Sequence, residues 1–275
     1  MKKEIHNKQI PWLKELETNC KQCSGLCCTA LYFSKIDGFP YDKPAQTPCQ
    51  HLQRDFLCDI HEQLREKGCQ GCRSYDCIGA GNEVTATIYR GKSWRDDVKM
   101  QREIFDVFVI VSQLHQMLFY LWEALTNGPE SVLQIAIEEK ISQLQAIKQQ
   151  EPKLLRCFDM DKIREEVNPL LKQSWLRQLP SHSNMQKKSF YRLNEKRRKQ
   201  NLKYEDFSMS FLIGSDYSGS DLYGACFLGS DVRDVKVFDC DLSNCMYLTQ
   251  AQVNAMQGNK NTKLPWYLKQ PNDWK

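Results

Sequence analysis

Apolar residues at Ile104, Val107, Phe108, Val111, Leu114, Leu118, Leu121, Trp122 and Leu125 recur at the three-and-four spacing of one helix face. The pattern predicts a long helix opened by Asp96 or Asp97 and stopped at Asn127-Gly128-Pro129. Glycine suits the position after a helix, and proline the first turn of the next. A second helix should carry Val132, Ile135, Ala136, Ile141, Leu144 and Ile147 and end before Glu151-Pro152; a third covers Lys162 to Leu179, interrupted by Pro169. Short turns between them predict an antiparallel hairpin or bundle over residues 93–180. The most apolar stretch, IFDVFVIVSQLHQMLFYLWEAL, is broken by Asp106, Ser112, Gln113, His115, Gln116 and Glu123. A membrane span wants about 20 nearly continuous apolar residues, so a buried helix and no membrane partner are expected.

The pattern then changes period. From residue 205 the chain reads as pentads: EDFSM, SFLIG, SDYSG, SDLYG, ACFLG, SDVRD, VKVFD, CDLSN, CMYLT. Their central residues are Phe207, Leu212, Tyr217, Leu222, Phe227, Val232, Val237, Leu242 and Tyr247, all apolar or aromatic. Two positions earlier sit small or moderate residues, Ser210, Ser215, Ser220, Ala225, Ser230, Val235, Cys240 and Cys245. A period of five fits neither helix nor strand and suits a coil with four flat faces, large residues stacking on the axis and small ones between layers. Residues 205–249 thereby resemble the pentapeptide-repeat family, and the resemblance implies a right-handed quadrilateral β-helix. In the following residues, 250–275, Thr249 can cap a short helix with Val253 and Met256 on one side and Gly258 at its end, closing the open end of the stack.

Charge adds a contrast between neighbouring segments. The 275-residue chain has a net charge of only +4, too small to imply a nucleic-acid partner. Lysines and arginines nevertheless gather in QKKSFYRLNEKRRKQNLK, whereas Glu205–Thr249 carries eight acidic residues against two basic ones. Residues 181–204 thus read as a basic linker ahead of an acidic module. The N-terminus, MKKEIHNKQIPWLKELE, lacks the apolar run and cleavage site of a secretory signal, which predicts a cytoplasmic protein.

Cysteine is the strongest compositional signal. Of 13 cysteines nine lie between Cys20 and Cys77, in a zone of residues 1–92 rich in Cys, Gly and Pro. They run Cys20-x2-Cys23-x3-Cys27-Cys28, Cys49-x-His51, Cys58-x2-His61 and Cys69-x2-Cys72-x4-Cys77. In a reducing compartment such thiols hold metal rather than form disulfides. Nine suffice for two four-ligand sites, a pair of ions sharing ligands, or an iron-sulfur cluster with a second site; thiolates select zinc and iron over calcium or magnesium. His51 and His61 are further candidate ligands, or neighbours that orient one. Cys157, Cys226, Cys240 and Cys245 read as packing residues.

The opening at Cys20, Cys23, Cys27 and Cys28, with the later segments PCQHLQRDFLCDIH and GCQGCRSYDC, resembles a bacterial family described as zinc- or iron-chelating, built around a C-x2-C-x2-3-CC start. The resemblance covers about residues 18–80 and implies metal binding there without choosing between zinc and iron.

The expected fold class is therefore multidomain α+β: a Cys-rich metal-binding module, a central helical hairpin or bundle, and a short pentapeptide-repeat β-helix with a helical cap. No phosphate-binding G-x4-G-K-[ST] loop is present, GAGNEV lacks the third glycine of a dinucleotide fingerprint, and the thiols around Cys58 and His61 favour ligation over nucleophilic catalysis. The primary reading is a non-catalytic metal-binding scaffold, with zinc ahead of iron, that engages a protein partner, or a second copy of itself, through the β-helix or the helices. A second reading is an iron-sulfur or iron-handling protein in redox chemistry or metal delivery. A third, from the pentapeptide resemblance, is a modulator of gyrase-type topoisomerases through mimicry of DNA. Two coils at a strand spacing of about 4.8 Å give a rod of only about 10 Å, which opposes it.

Overall fold

The computed structural model describes residues 11–128, 131–180 and 190–275. They form two compact units, one of residues up to Cys72 with Asp76–Leu171, the other of Arg73–Tyr75 with Lys172–Lys275.

The first unit is organised by its long apolar helix. In chain order its helices are α1 (Pro11–Glu15), α2 (Leu26–Ala30), α3 (Gln70–Ser74), α4 (Ala80–Asn82), α5 (Val98–Thr126), α6 (Ser131–Lys148), α7 (Pro152–Leu155) and α8 (Met160–Leu176), the third and the last continuing into the second unit. Helix α5 starts where the Asp97 side chain accepts the Lys99 N–H, and the chain leaves it through left-handed Gly128. By length and composition α5 could cross a membrane, but 67% of its most apolar window is buried inside the protein, which makes it a core helix. It packs against α2, α4, α6 and α7.

Two details depart from the sequence pattern. On α6 the buried face is Leu133, Ile137, Ile141, Leu144 and Ile147, whereas Val132 and Ile135 are 79% and 55% exposed. Both faces have apolar spacing, and contact with α5 selects one. Helix α8 runs through Pro169 without interruption. Burial of Ile163, Val167, Leu171 and Trp175 outweighs the hydrogen bond that proline cannot donate.

Loop-rich residues 18–97 are fastened to α5 by directional contacts. The Trp94 indole N–H donates to the Ser24 carbonyl at 2.8 Å, and its ring lies 5.8 Å from that of Phe105. Trp12 stacks on Trp122 at 5.6 Å and meets Phe119 edge-on. His115, fully buried on α5, places Nδ1 2.7 Å from the Ile78 carbonyl, and its Nε2 has no partner.

The second unit is a coil of turns closed by α9 (Gln250–Ala255). Parallel bridges join Tyr191 to Phe211, Lys196 to Asp216, Asn201 to Asp221, Asp206 to Cys226, Phe211 to Asp231, Asp216 to Lys236, Asp221 to Asp241 and Cys226 to Met246, each twenty residues on, before Lys236 meets Gln257 and Asp241 meets Lys263 at the closing end. Phe207, Leu212, Tyr217, Leu222, Phe227, Val232, Val237, Leu242 and Tyr247 are all buried, with Phe207 stacked on Phe227 at 5.2 Å. The small residues do more than fill space. Ser220 Oγ, Cys240 Sγ and Cys245 Sγ each donate to the carbonyl 23 residues earlier, those of Arg197, Tyr217 and Leu222, at 2.6, 3.1 and 3.1 Å.

This architecture corrects the expected fold class. Among the described residues there is no β-strand, so neither an α+β class nor a C-terminal β-helix stands, and the resemblance to the pentapeptide-repeat family, with the repeat and β-helix assignments drawn from it, is overturned. The regular elements are helices, and the second unit pairs through isolated bridges alone. The cause is local. The side chains of Asp206, Asp216, Asp221, Asp231 and Asp241 each accept the N–H two residues on, turning the chain directly after its bridge. Left-handed residues such as Gly214, Gly219, Gly224 and Asp234 turn it again, and no consecutive pairing accumulates.

The bridged turns begin at Tyr191, inside the stretch read as a linker; residues 181–189 of that stretch lie outside the described ones. Arg192 occupies an interior position, with its guanidinium 2.8 Å from Glu205 and 5.1 Å from the Phe207 ring centre. Arg197 joins it on Glu205 at 3.3 Å. The basic run thus meets the acidic turns rung by rung, with Lys203 3.1 Å from Asp221. At the other end Thr249 and Gln252 form a reciprocal cap on α9, and Gln252 Nε2 also donates to the Phe227 and Ser230 carbonyls.

Two outcomes follow from this packing. Phe227→Ala should lower the stability of the second unit by about 3–5 kcal/mol, read as earlier denaturant unfolding, because a buried ring leaves a cavity between stacked turns. Burial holds His115 down at about 4 from its usual 6.5, with Lys148 opposing its charge and Glu15 favouring it. The unfolded chain therefore takes up a proton that the folded one refuses. Stability should be constant above about pH 6.5 and fall between about pH 6.5 and 4, by about 2–4 kcal/mol in all, and His115→Gln should flatten that fall in denaturant titrations across this range.

Candidate metal centre

All thirteen cysteines are free thiols, and the nine candidates belong to the first unit. Cys20 opens a short 3-10 turn, Cys20–Gln22, capped by the Asn19 side chain. Cys27 and Cys28 sit in the first turn of α2, which follows left-handed Gly25; a side chain at Gly25 would strike Leu52. Cys49 N–H donates to the Cys28 carbonyl at 2.9 Å, bringing the next segment back beside the pair. Cys58 faces Leu52 across an antiparallel bridge, Cys72 lies on α3, and Cys77 is followed by the turn that starts α4.

Two neighbourhoods emerge. Cys23 and Cys77 face the same glycine: a methyl group at Gly81 would lie 2.7 Å from Cys23 Sγ and 3.7 Å from Cys77 Sγ. Cys20 and Cys27 interact electrostatically with Cys77 as well, and both also with Cys28. Cys28, Cys69, Cys49 and Cys58 each act electrostatically, after burial, to raise Cys72. The two groups meet at Cys27 and Cys28, whose sulfurs are 3.8 Å apart. Among the described residues, no three His, Cys, Asp or Glu side chains converge closely enough to hold an ion as they stand.

The electrostatics suit thiols that await a cation. Burial, reinforced by neighbouring thiols, pushes Cys23 and Cys58 up to about 11 and Cys72 up to about 12. Within the adjacent pair, Cys27 is held well above the ordinary thiol value, first by its hydrogen bond with Cys28 and then by burial, while that bond and the Lys43 ammonium hold Cys28 below it. For the raised thiols, each thiolate formed would raise the cost of the next unless positive charge were added. In donor chemistry it fits a thiophilic ion, being all sulfur with no carboxylate in either neighbourhood except Asp76 beside Cys20 and Cys77 and Asp59 beside Cys58.

The His51 backbone N–H donates to Cys49 Sγ at 3.4 Å. His51 Nδ1 is 2.9 Å from Asp59, and His61 is exposed, with its backbone N–H on the Cys58 carbonyl. Cys226, Cys240 and Cys245 are buried in the second unit, and Cys157 is exposed. Two contributors carried no sequence signal. Tyr41 places its hydroxyl 2.9 Å from Cys49 Sγ. Lys43, a lone lysine in a proline-bearing loop, is buried, with Nζ donating to the carbonyls of Thr29, Leu31, Pro44 and Thr47 at 2.6–3.3 Å and lying 4.5 Å over the Phe33 ring.

Fold and site define a mainly helical protein with a nine-thiol module set against a core helix. Two proteins of similar sequence place it further. The uncharacterized protein YybG of Bacillus subtilis is 38% identical over 266 residues, 95% of each chain, and the UPF0153 protein YeiW of Escherichia coli is 36% identical over 84 residues, 30% of this chain and 93% of that one. The chain belongs to the family of YybG, and its 84-residue stretch to that of YeiW. No family model matches, and no solved structure does. The resemblance to the zinc- or iron-chelating family is accordingly withdrawn as an identification.

Lys43 gives a direct check on how this loop is held. Lys43→Met should destabilise the first unit by about 2–4 kcal/mol in denaturant unfolding, since it strips a charged donor from four carbonyls in one step.

Proposed function

We propose that this protein binds a thiophilic metal, zinc in the first instance, through Cys20, Cys23, Cys27, Cys28, Cys49, Cys58, Cys69, Cys72 and Cys77, and that it acts as a non-catalytic binding protein. The observation that carries this reading is the gathering of nine free thiols in one unit with no disulfide between them. Such crowding is unfavourable for thiolates alone, and a bound cation relieves it by neutralising their charge. The bound metal would cross-link a loop-rich segment that has few regular elements of its own. Free thiols at this density also fit a reducing compartment such as the cytoplasm. His51 and His61 are not needed as ligands.

Purification without oxygen, followed by metal analysis and a visible spectrum, tests this reading. Stoichiometric zinc in a colourless solution is the expected result. Iron with inorganic sulfide and broad visible absorption would replace it with an iron-sulfur protein. A metal-free protein that takes up neither zinc nor iron on reconstitution would overturn it.

A further inference from the structure

We infer that His115, on the core helix α5, is a positioning residue for the thiols: through the Ile78 carbonyl it holds the strained turn after Cys77 and so keeps Cys77 facing Cys23 across Gly81. This deepens the metal-binding reading above and rests on it.

The turn is strained at a residue poorly suited to it. Ile78 adopts a φ of 52°, left-handed backbone that a β-branched side chain rarely enters, and Gly79 follows at 75°. Such a conformation persists only where its surroundings fix it. Three hydrogen bonds do so here. The Ile78 N–H donates to Asp76 Oδ1 at 2.9 Å, the Gly79 N–H donates to the Thr18 hydroxyl at 3.0 Å, and the Ile78 carbonyl lies 2.7 Å from His115 Nδ1. Gly79 is also pressed onto the backbone of residues 15–17, where a Cβ would come within 3.0–3.2 Å. Of the three side chains, Asp76 and Thr18 belong to the loops that carry the cysteines, and His115 alone comes from a long helix.

The histidine itself points to this task. A carbonyl offers only lone pairs, so Nδ1 carries the proton of that hydrogen bond, and Nε2 is left a bare acceptor with no partner among the described residues in a fully buried side chain. An apolar residue would fill that place on α5 without burying an unpaired nitrogen, so what the histidine adds is its donor. Its effect reaches the sulfurs within a few bonds. The Cys77 carbonyl accepts the Ala80 N–H at 3.0 Å, closing the turn, and a methyl group at Gly81 would lie 2.7 Å from Cys23 Sγ and 3.7 Å from Cys77 Sγ. Release of Ile78 from left-handed backbone would swing Cys77 away from Cys23.

The test uses the full-length reduced protein, first metal-free and then with zinc as the probe. Thiol alkylation mapped by peptide mass spectrometry reads the placement of Cys77 without metal, and competition with a chromophoric chelator reads zinc affinity. His115→Leu should speed labelling of Cys77 and weaken zinc binding, each by about tenfold, while buried Cys69 keeps its wild-type labelling rate. His115→Gln, which keeps a donor for the Ile78 carbonyl, should hold both quantities within about threefold of wild type. Adding Ile78→Gly to His115→Leu should restore most of the loss, because glycine enters left-handed backbone without strain. Equal acceleration at Cys69, unchanged labelling of Cys77, or failure of both rescues would overturn the positioning role. A wild-type protein that takes up neither zinc nor iron would instead sink the metal-binding reading, and labelling of the metal-free protein still decides whether His115 places Cys77.

Discussion

Burial of helix α5 is the constraint on which the first unit depends. Residues 18–97 contain only short helical turns and isolated bridges, too little regular structure to bury a core of their own. They gain one by lying on α5, where Trp94 reaches back to Ser24, Trp12 stacks on Trp122 and His115 meets the Ile78 carbonyl. These anchors fix both ends of the cysteine-bearing segment. The thiols are thereby confined to one unit, which would lower the entropy cost of any ion they bind.

Held together in this way, the thiols resist ionisation. Burial and mutual repulsion raise Cys23, Cys58 and Cys72, and Lys43 lies buried near them with its hydrogen bonds on backbone carbonyls. Forming thiolates here would need a compensating positive charge, which supports the proposal that the module takes up a cation. The second unit solves the opposite problem. There acidic and basic side chains fall on successive turns, so Arg192, Arg197 and Lys203 find Glu205 and Asp221 within the coil itself.

The legible parts of the sequence were those fixed by periodicity. Helix α5 and its stop at Asn127-Gly128 follow from apolar spacing and a glycine signal, and the five-residue pattern marked every axial residue from Phe207 to Tyr247. Three features were not legible. The pairing of the coil was read as β-helix, because an apolar period states which residues are buried and not whether consecutive residues pair; aspartate turns after each bridge decided that. The first turns were read as a linker because Arg192 and Arg197 stand where apolar residues were sought, and only Glu205 opposite them makes those positions tenable. Lys43 and Tyr41 gave no pattern at all.

The sequence by itself determined the local vocabulary: which segments can be helical, which pentad positions face inward, and that nine sulfurs lie between Cys20 and Cys77. It could do so because spacing along the chain governs which side chains share a face. Tertiary structure alone decided which of two apolar faces of α6 is buried, that α8 continues through Pro169, and that Cys77 and Cys23 close on Gly81. Each of these depends on contacts between residues distant in sequence, where packing and charge outweigh local preference.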